Sequence, residues 1–357
     1  MTEQGLSRRY VVLAEGRFVN RHAKTAHGLI AYGRKNAGVV AVIDSTLAGR
    51  RVLDVMPELR RDAPIVGTLQ EALEYSPTSI LVGLAPAGGR LPEAWVGFLR
   101  EAARAGLEIV SGLHQRLAPK FPETRVWDVR EPPKDVPLFS GEGFDVKPKV
   151  ALTVGTDSAI GKLTATLEIE RVARERGIAA EFVATGQTGM VIAGWGICID
   201  AVVSDFAAGA SEQLVLKAAR RDPELILVEG QGAIGHPAYS GVTTALLHGS
   251  CPDCLVLCTD ASEEAVFAGV PRPEAEQIIR LYEGVAALVK PAPVAAVSVN
   301  TKGLNNTEAA RFVAAVANQT GLPVADPIRT DAVPVLEAIC RTPKTKARGE
   351  AGTRRPP

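Results

Sequence analysis

The segment Val150-Ala-Leu-Thr-Val-Gly-Thr-Asp-Ser-Ala-Ile-Gly-Lys-Leu-Thr-Ala-Thr166 runs from an apolar stretch through a glycine loop to a lysine and into a helix-forming sequence. A phosphate-binding loop is written this way. Glycines let backbone N–H groups turn inward, the following helix presents its positive end, and Lys162 adds a full charge. Gly155, Thr156, Asp157, Ser158, Ala159, Ile160, Gly161 and Lys162 are the expected cofactor-binding residues, with Leu163 and Thr164 behind them. Five residues separate the two glycines, where the usual spacing has four. The alternative is a glycine turn with a solvated lysine; the strand before and the helix after favour a phosphate site.

Leu163 complicates the loop, because the residue after the lysine normally directs a hydroxyl at magnesium. Thr164 stands one position later, about 100° further round a helix of 3.6 residues per turn. A metal would need Thr164 with a slightly shifted helix start, or a ligand from elsewhere. Leu225-Ile-Leu-Val-Glu229 supplies a candidate: an apolar strand ending in a carboxylate, as a Walker-B-like magnesium ligand requires. Thr164 and Glu229 are thus metal ligands only if the reaction depends on ATP and magnesium. A strand ending in a solvated glutamate is the competing reading.

Other polar residues follow strands of the same region. Thr185-Gly-Gln-Thr-Gly189 suits an anionic or polar ligand, which makes Thr185, Gly186, Gln187 and Thr188 candidate substrate-binding residues, although a plain turn reads nearly as well. Asp205 either binds a substrate amine or caps a helix over residues 207–213. His236, with an unperturbed pKa near neutrality, is a proton-transfer candidate beside a structural reading. Asn300-Thr-Lys302 closes a late strand, where phosphate-loop proteins contact a base.

Around this segment the chain alternates strands and helices. The apolar runs at residues 150–154, 180–184, 225–228, 254–258, 294–299 and 323–324 read as strands, and residues 162–176, 211–221, 273–282 and 308–319 as helices. Upstream, strands at 10–14, 39–43, 80–84 and 108–110 alternate with helices at 25–32 and 91–105. Continuous apolar strands between amphipathic helices imply mostly parallel sheets covered on both faces. The expectation is α/β throughout: a Rossmann-like domain over residues 1–118, a Pro-rich connector over 119–148, a P-loop NTPase-like domain over 149–340 and a basic, disordered tail over 341–357. The first domain lacks the GxGxxG fingerprint, which weakens a dehydrogenase reading. Its Arg17, Asn20, Lys24 and Thr25 could bind an anion or form a polar interface.

Composition narrows the function classes. The chain has 357 residues, too many for one ordinary core. Forty basic residues balance forty acidic ones, which argues against nucleic-acid binding through a general positive field. No apolar run reaches membrane-spanning length and no signal-peptide core opens the chain, so no membrane partner and a cytoplasmic location are expected. Cys251-Pro-Asp-Cys254, with Cys258 and His248 nearby, resembles a zinc or redox site, but Cys258 falls in an apolar strand and reads as core. Outer helices of such sheets can pair, so a homodimer is compatible with the pattern.

Two resemblances rest on these motifs. The C-terminal region resembles dethiobiotin synthetase, an ATP-dependent enzyme whose loop also has five intervening residues and whose later strand ends in Val-Glu-Gly, although it carries threonine directly after the lysine. Nearly the whole chain resembles a two-domain family long described as having no known function. Its motifs are Gly155-Thr-Asp-x-Ala-x-Gly-Lys-x-Thr164, Thr185-Gly-Gln-Thr-Gly189, Glu229-Gly-Gln-Gly-x-x-x-His-Pro-x-Tyr-Ser-Gly241 and His248-Gly-Ser-x-Pro-Asp253. That family tolerates an apolar residue in the Leu163 slot, and its members include D-glutamate N-acetyltransferases.

The second resemblance implies an acyltransferase using acetyl-CoA on the amine of an acidic amino acid. His236, Asp205 or Glu229 would be the base, the Gly186 and Thr188 amides oxyanion donors, and Tyr239 and Ser240 substrate contacts. The first implies an ATP- and magnesium-dependent ligase or kinase-like enzyme. A nucleotide sensor without catalysis is the third reading.

Overall fold

The apolar runs read as strands at residues 10–14, 39–43, 80–84 and 108–110 each fall on a strand of a parallel sheet, with most of their side chains buried. The computed structural model describes residues 7–34, 37–84, 88–261 and 269–347. These divide into two units, Met1–Pro133 with Gly186–Ala201, and Lys134–Thr185 with Val202–Pro357.

The first unit holds β1 (Arg8–Leu13), β2 (Ala37–Ile43), β3 (Ile65–Val66), β4 (Ser79–Val82), β5 (Glu108–Ser111) and β6 (Val126–Asp128). They are parallel in the order 3-2-1-4-5-6, the strand order of a dinucleotide-binding fold. Helices α1 (Lys24–Tyr32), α2 (Val52–Val55), α3 (Leu69–Leu73) and α4 (Val96–Arg104) link them. Pro92 delays the last of these: residues 93–95 form a 3-10 turn before α4, where one helix over 91–105 is expected.

The unit spends its nucleotide-binding positions internally. Asp44 directly follows β2, where such folds place the carboxylate that meets a ribose. Its Oδ2 accepts the Phe18 N–H at 2.9 Å and its Oδ1 accepts the Thr46 N–H and hydroxyl. The Ala26 N–H at the start of α1 donates to the Gly83 carbonyl. The missing glycine fingerprint and the internal bonding of Asp44 agree.

The second unit contains β7 (Lys149–Gly155), α5 (Lys162–Glu175) and β8 (Ala180–Val183). The chain then contributes α6 (Gln187–Ala193) to the first unit before resuming with α7 (Ser204–Ala219) and β9 (Leu225–Val228). It continues through α8 (Ser240–Gly249), β10 (Cys254–Asp260), α9 (Ala275–Ala286), β11 (Val294–Asn300), α10 (Asn306–Thr320), β12 (Val324–Ala325) and α11 (Val333–Arg341). Its six parallel strands lie in the order 12-11-10-7-9-8. The connections leave β7 in one direction toward β9 and β8, and the other strands lie beyond β10. The carboxyl ends of β7 and β10 therefore flank the switch point where open α/β sheets bind ligands.

Several expected boundaries move. Residues 119–148 are not a free connector: β6 completes the first sheet, and the Asp128 carboxylate accepts the Leu117 and Ala118 N–H groups. Three residues are too short a strand to stand out in a Pro-rich stretch. Residues 134–148 belong to the second unit, where the Ser140 and Gly143 N–H groups donate to Glu212. Helix α7 begins at Ser204 rather than at residue 211, running through Gly209. A Cβ there would come 2.0 Å from the Pro137 carbonyl oxygen, so this glycine serves close packing rather than a break.

The tail also starts later than expected. Arg341 ends α11, and Lys344 donates to the Val146 and Lys147 carbonyls; residues 348–357 lie outside the described residues. Among the described residues, no helix is long and apolar enough to cross a membrane.

Candidate active site

β7 delivers the chain into the loop at Gly155. Ala159 (φ 58°) and Gly161 (φ 114°) both take left-handed backbone, which turns the loop back toward α5. Lys162 is the first residue of that helix and is buried; its Nζ donates to the Asp157 carbonyl oxygen at 2.7 Å. The far side is tied to β10, since the Thr156 N–H donates to the Cys258 carbonyl and its hydroxyl to Thr259 Oγ1 at 3.1 Å. Asn300, at the end of β11, donates its amide to the Ile160 carbonyl at 3.3 Å and accepts the Lys302 N–H. Lys162 and the start of α5 thus combine positive charge with the helix dipole, as phosphate requires.

Behind the loop, three hydroxyl contacts join two strands and a helix. Thr153 on β7 meets Thr166 on α5 at 3.0 Å, Thr166 donates to the Lys162 carbonyl, and the Gly230 N–H donates to Thr153 Oγ1 at 2.9 Å. Gly230 has no alternative. A Cβ would sit 1.7 Å from the Thr153 oxygen and 3.2 Å from Lys162 Cδ, so the chain leaving β9 passes directly over the lysine stem.

Glu229 precedes that glycine and is 4% exposed. Its Oε2 accepts the Thr185 N–H at 3.0 Å, the Thr185 hydroxyl donates to its carbonyl, and Gln231 Nε2 reaches Thr185 Oγ1 at 3.2 Å. Buried Glu229 and Thr185 and half-buried Gln231 form one polar group at the ends of β8 and β9. Further along, His236 is 2% exposed and stacks on Tyr239 with centroids 4.4 Å apart. Its Nδ1 accepts the Ala238 N–H at 3.1 Å, so in the neutral ring Nε2 carries the proton. That Nε2 lies 3.8 Å from Asp157 Oδ1. Tyr239 is exposed beside it, and Ser240 opens α8 with its N–H on the His236 carbonyl.

Three residues without a sequence signal complete the cluster. Asp260 ends β10, and Arg272 follows residues outside the described set. Arg272 bonds Asp260 Oδ1 at 2.7 Å and stands 3.8 Å from Asp157 Oδ2. Asp157 and Asp260, across the switch point, thus share one guanidinium. A third is Tyr282 on α9: its hydroxyl donates to the Gly155 carbonyl at 2.7 Å and accepts the Ile234 N–H at 2.9 Å. It fixes the phosphate loop to the loop carrying His236.

The remaining sequence candidates have the following surroundings. Asp205 is exposed in the first turn of α7; the residue preceding that helix is Val203, so Asp205 is not its cap. Gly186, Gln187 and Thr188 fall in the first unit, while Thr185 stays in the second. The Thr188 hydroxyl pairs with Thr25 at 3.1 Å, and the Gln187 side-chain oxygen Oε1 accepts from Arg130, which also binds Asp200 at 2.6 Å. The segment proposed to meet a polar ligand, with a plain turn as its alternative, is thus the start of α6. Asn20 caps a 3-10 turn. Leu163 and Thr164 are half-buried on α5, and the Ser158 N–H donates to the Asp157 carboxylate.

Cys254 and Cys258 lie within β10, and burial pushes the thiols of Cys251, Cys254 and Cys258 up to about 12. Such thiols are inert near neutrality. His248 donates to the Val285 carbonyl at 3.1 Å. Asp253 of the same stretch accepts the Val150 N–H and the Lys290 ammonium. This motif fastens the root of β7.

Comparison with known proteins matches both units. The family described as a domain of unknown function (DUF1611_C), P-loop domain, matches residues 137–336, and its companion (DUF1611_N), Rossmann-like domain, matches residues 45–132. A protein of Pseudoalteromonas sp named D-glutamate N-acetyltransferase is 35% identical over 283 residues, 76% of this chain and 83% of that protein. One of the same name from Tritonibacter scottomollicae is 34% identical over 284 residues, 76% of this chain and 84% of its own length. The crystal structure of a DUF1611 family protein from Anabaena variabilis, at 2.30 Å resolution, superposes with a TM-score of 0.87 at 36% identity, covering 94% of this chain and 99% of that one.

Proposed function

The chain belongs to the DUF1611 family, and from that membership we propose that it is an N-acetyltransferase that moves an acetyl group from acetyl-CoA to the amine of an acidic amino acid, D-glutamate in the first instance. The observation that carries this reading is the pair of relatives named for that reaction, each aligned over about three quarters of this chain.

The site chemistry supports it. The phosphate loop and Lys162 offer the charge and N–H groups that the phosphates of CoA need. The reaction needs an anion grip, a group that handles the amine's proton and donors for a developing oxyanion. None of these demands a metal, and the Leu163 side chain has no oxygen to give one. Incubating purified protein with acetyl-CoA and D-glutamate should release free CoA and form N-acetyl-D-glutamate, read by mass spectrometry. Absence of both products would refute the proposal.

The strand-end carboxylate of Glu229 favours a second reading, phosphoryl transfer from ATP with magnesium between Thr164 and Glu229. The donor set suits it less well. Thr166, the other hydroxyl on that turn of α5, is spent on Lys162 and Thr153, and one Glu229 oxygen accepts a backbone N–H. Magnesium-dependent ADP release with a carboxylate substrate would establish this second reading.

A further inference from the structure

We propose that Asp157 receives the ammonium group of the acyl acceptor and carries the proton freed on C–N bond formation to the departing thiolate. This rests on the acetyltransferase reading. The starting point is a contradiction of charge: a loop built to hold anions carries a carboxylate of its own. A residue that opposes the loop's electrostatics calls for a task beyond gripping phosphate.

The surroundings of Asp157 suit a cation. Its side chain is 16% exposed, so a ligand can reach it. Both of its basic neighbours stand at 3.8 Å, His236 Nε2 from one oxygen and Arg272 from the other, beyond direct hydrogen bonding. Arg272 makes its short bond to Asp260 instead. Asp157 and Asp260 thus face a single guanidinium between them. Lys162 directs its ammonium to the Asp157 backbone carbonyl.

The other groups with acid–base chemistry are placed less well. Glu229 is buried, with one oxygen on the Thr185 N–H, whereas Asp157, which likewise gives one oxygen to the Ser158 N–H, is open to a ligand. Asp205 lies exposed on α7. His236 has its Nδ1 lone pair committed to the Ala238 N–H, so the nitrogen facing Asp157 is a donor.

The step balances without a co-reactant. The bound ammonium loses one proton to solvent, and the amine nitrogen attacks the thioester carbon as the C=O π pair moves onto oxygen. The adduct nitrogen then bears a positive charge and an acidic N–H, and Asp157 takes that proton. The oxyanion pair re-forms the carbonyl, the C–S bond breaks, and Asp157 passes its proton to the thiolate. The products are amide, CoASH and one proton in solution, and the carboxylate is regenerated.

The test measures wild type, Asp157→Asn and Asp157→Glu for acetyl-CoA affinity by calorimetry and for steady-state acetylation of D-glutamate. In Asp157→Asn, acetyl-CoA affinity should stay within about threefold while kcat/KM for D-glutamate falls about 10²- to 10⁴-fold, the range for general acid–base groups. Asp157→Glu should recover part of the loss. An active wild type with an equally active Asp157→Asn variant overturns this role alone. So does a variant whose main defect is in acetyl-CoA binding. A wild type that transfers no acetyl group overturns the acetyltransferase reading and this step with it.

Discussion

The Lys162 ammonium is 2.7 Å from the carbonyl oxygen of Asp157, so the cation of the phosphate loop is held by that loop's own backbone. The charge is thereby placed before any phosphate arrives, and less ordering is required on binding. Lys162→Ala removes a charge-assisted contact of about 1.5–3 kcal/mol, and the Kd for acetyl-CoA should rise about 10- to 100-fold. Thr164→Val should leave that Kd unchanged, and EDTA should leave acetyl transfer unchanged. Calorimetry and a CoA-release assay check both. A defect in Thr164→Val that magnesium relieves would move the assignment toward phosphoryl transfer.

Tyr282 bridges two loops through one oxygen, donating to Gly155 and accepting from Ile234. Tyr282→Phe keeps the ring in the core and leaves those backbone groups without this partner. An unsatisfied buried group costs about 1–3 kcal/mol. Thermal melting should register that loss, and acetyl-CoA affinity should fall with it, because the Gly155 end of the loop is no longer fixed. A lower melting temperature with unchanged affinity would confine Tyr282 to stability.

The parts of this protein legible in its sequence are those written locally. The strand, glycine loop and helix at residues 149–175 sit in one continuous stretch, and Gly230 follows a strand whose apolar run is unmistakable. Helix α6 was hidden because Thr-Gly-Gln-Thr-Gly carries turn residues, and only packing of Gly28 against Thr188 and Ile192 shows why a helix is stable there. Arg272 and Asp260 were hidden for a different reason. Asp260 at the end of β10 and Arg272 in a later loop meet each other, and Arg272 stands near Asp157, a convergence that local sequence does not record. The charge on Asp157 was visible in the sequence, but its role depends on those partners.

Cysteine chemistry gives a test of burial. Cys198, Cys251, Cys254 and Cys258 are buried and Cys340 is exposed. A water-soluble disulfide reagent at neutral pH should label one thiol in the folded protein and five after denaturation, and Cys340→Ser should remove the native signal. The same burial sets an alkaline limit. The thiols of Cys251, Cys254 and Cys258 rise from 9.0 to about 12 on folding, so the folded state holds these protons more tightly than the unfolded chain. Their contribution is complete below pH 9 and is lost as pH climbs from about 9 toward about 12. Denaturant midpoints measured across that window should fall steadily.

The buried pair Lys290–Asp253, at 2.8 Å with side chains 2% and 0% exposed, marks where the second unit is most vulnerable to a single charge deletion. Asp253 also accepts the Val150 and Thr345 N–H groups, and Lys290 also donates to the Cys251 carbonyl. The pair therefore ties the start of β7 to the turn before β10 and to the segment after α11. Lys290→Met leaves the Asp253 carboxylate buried without its counter-charge, which costs about 3–5 kcal/mol where one member of a buried pair is removed. Arg280→Met breaks an exposed pair with Glu276 on α9 and should leave stability unchanged, because such surface pairs contribute little. Denaturant titration of the two variants beside wild type distinguishes them. Equal midpoints for both would mean that Asp253 is held by its backbone donors alone, and that Lys290 is dispensable to the strand carrying the phosphate loop.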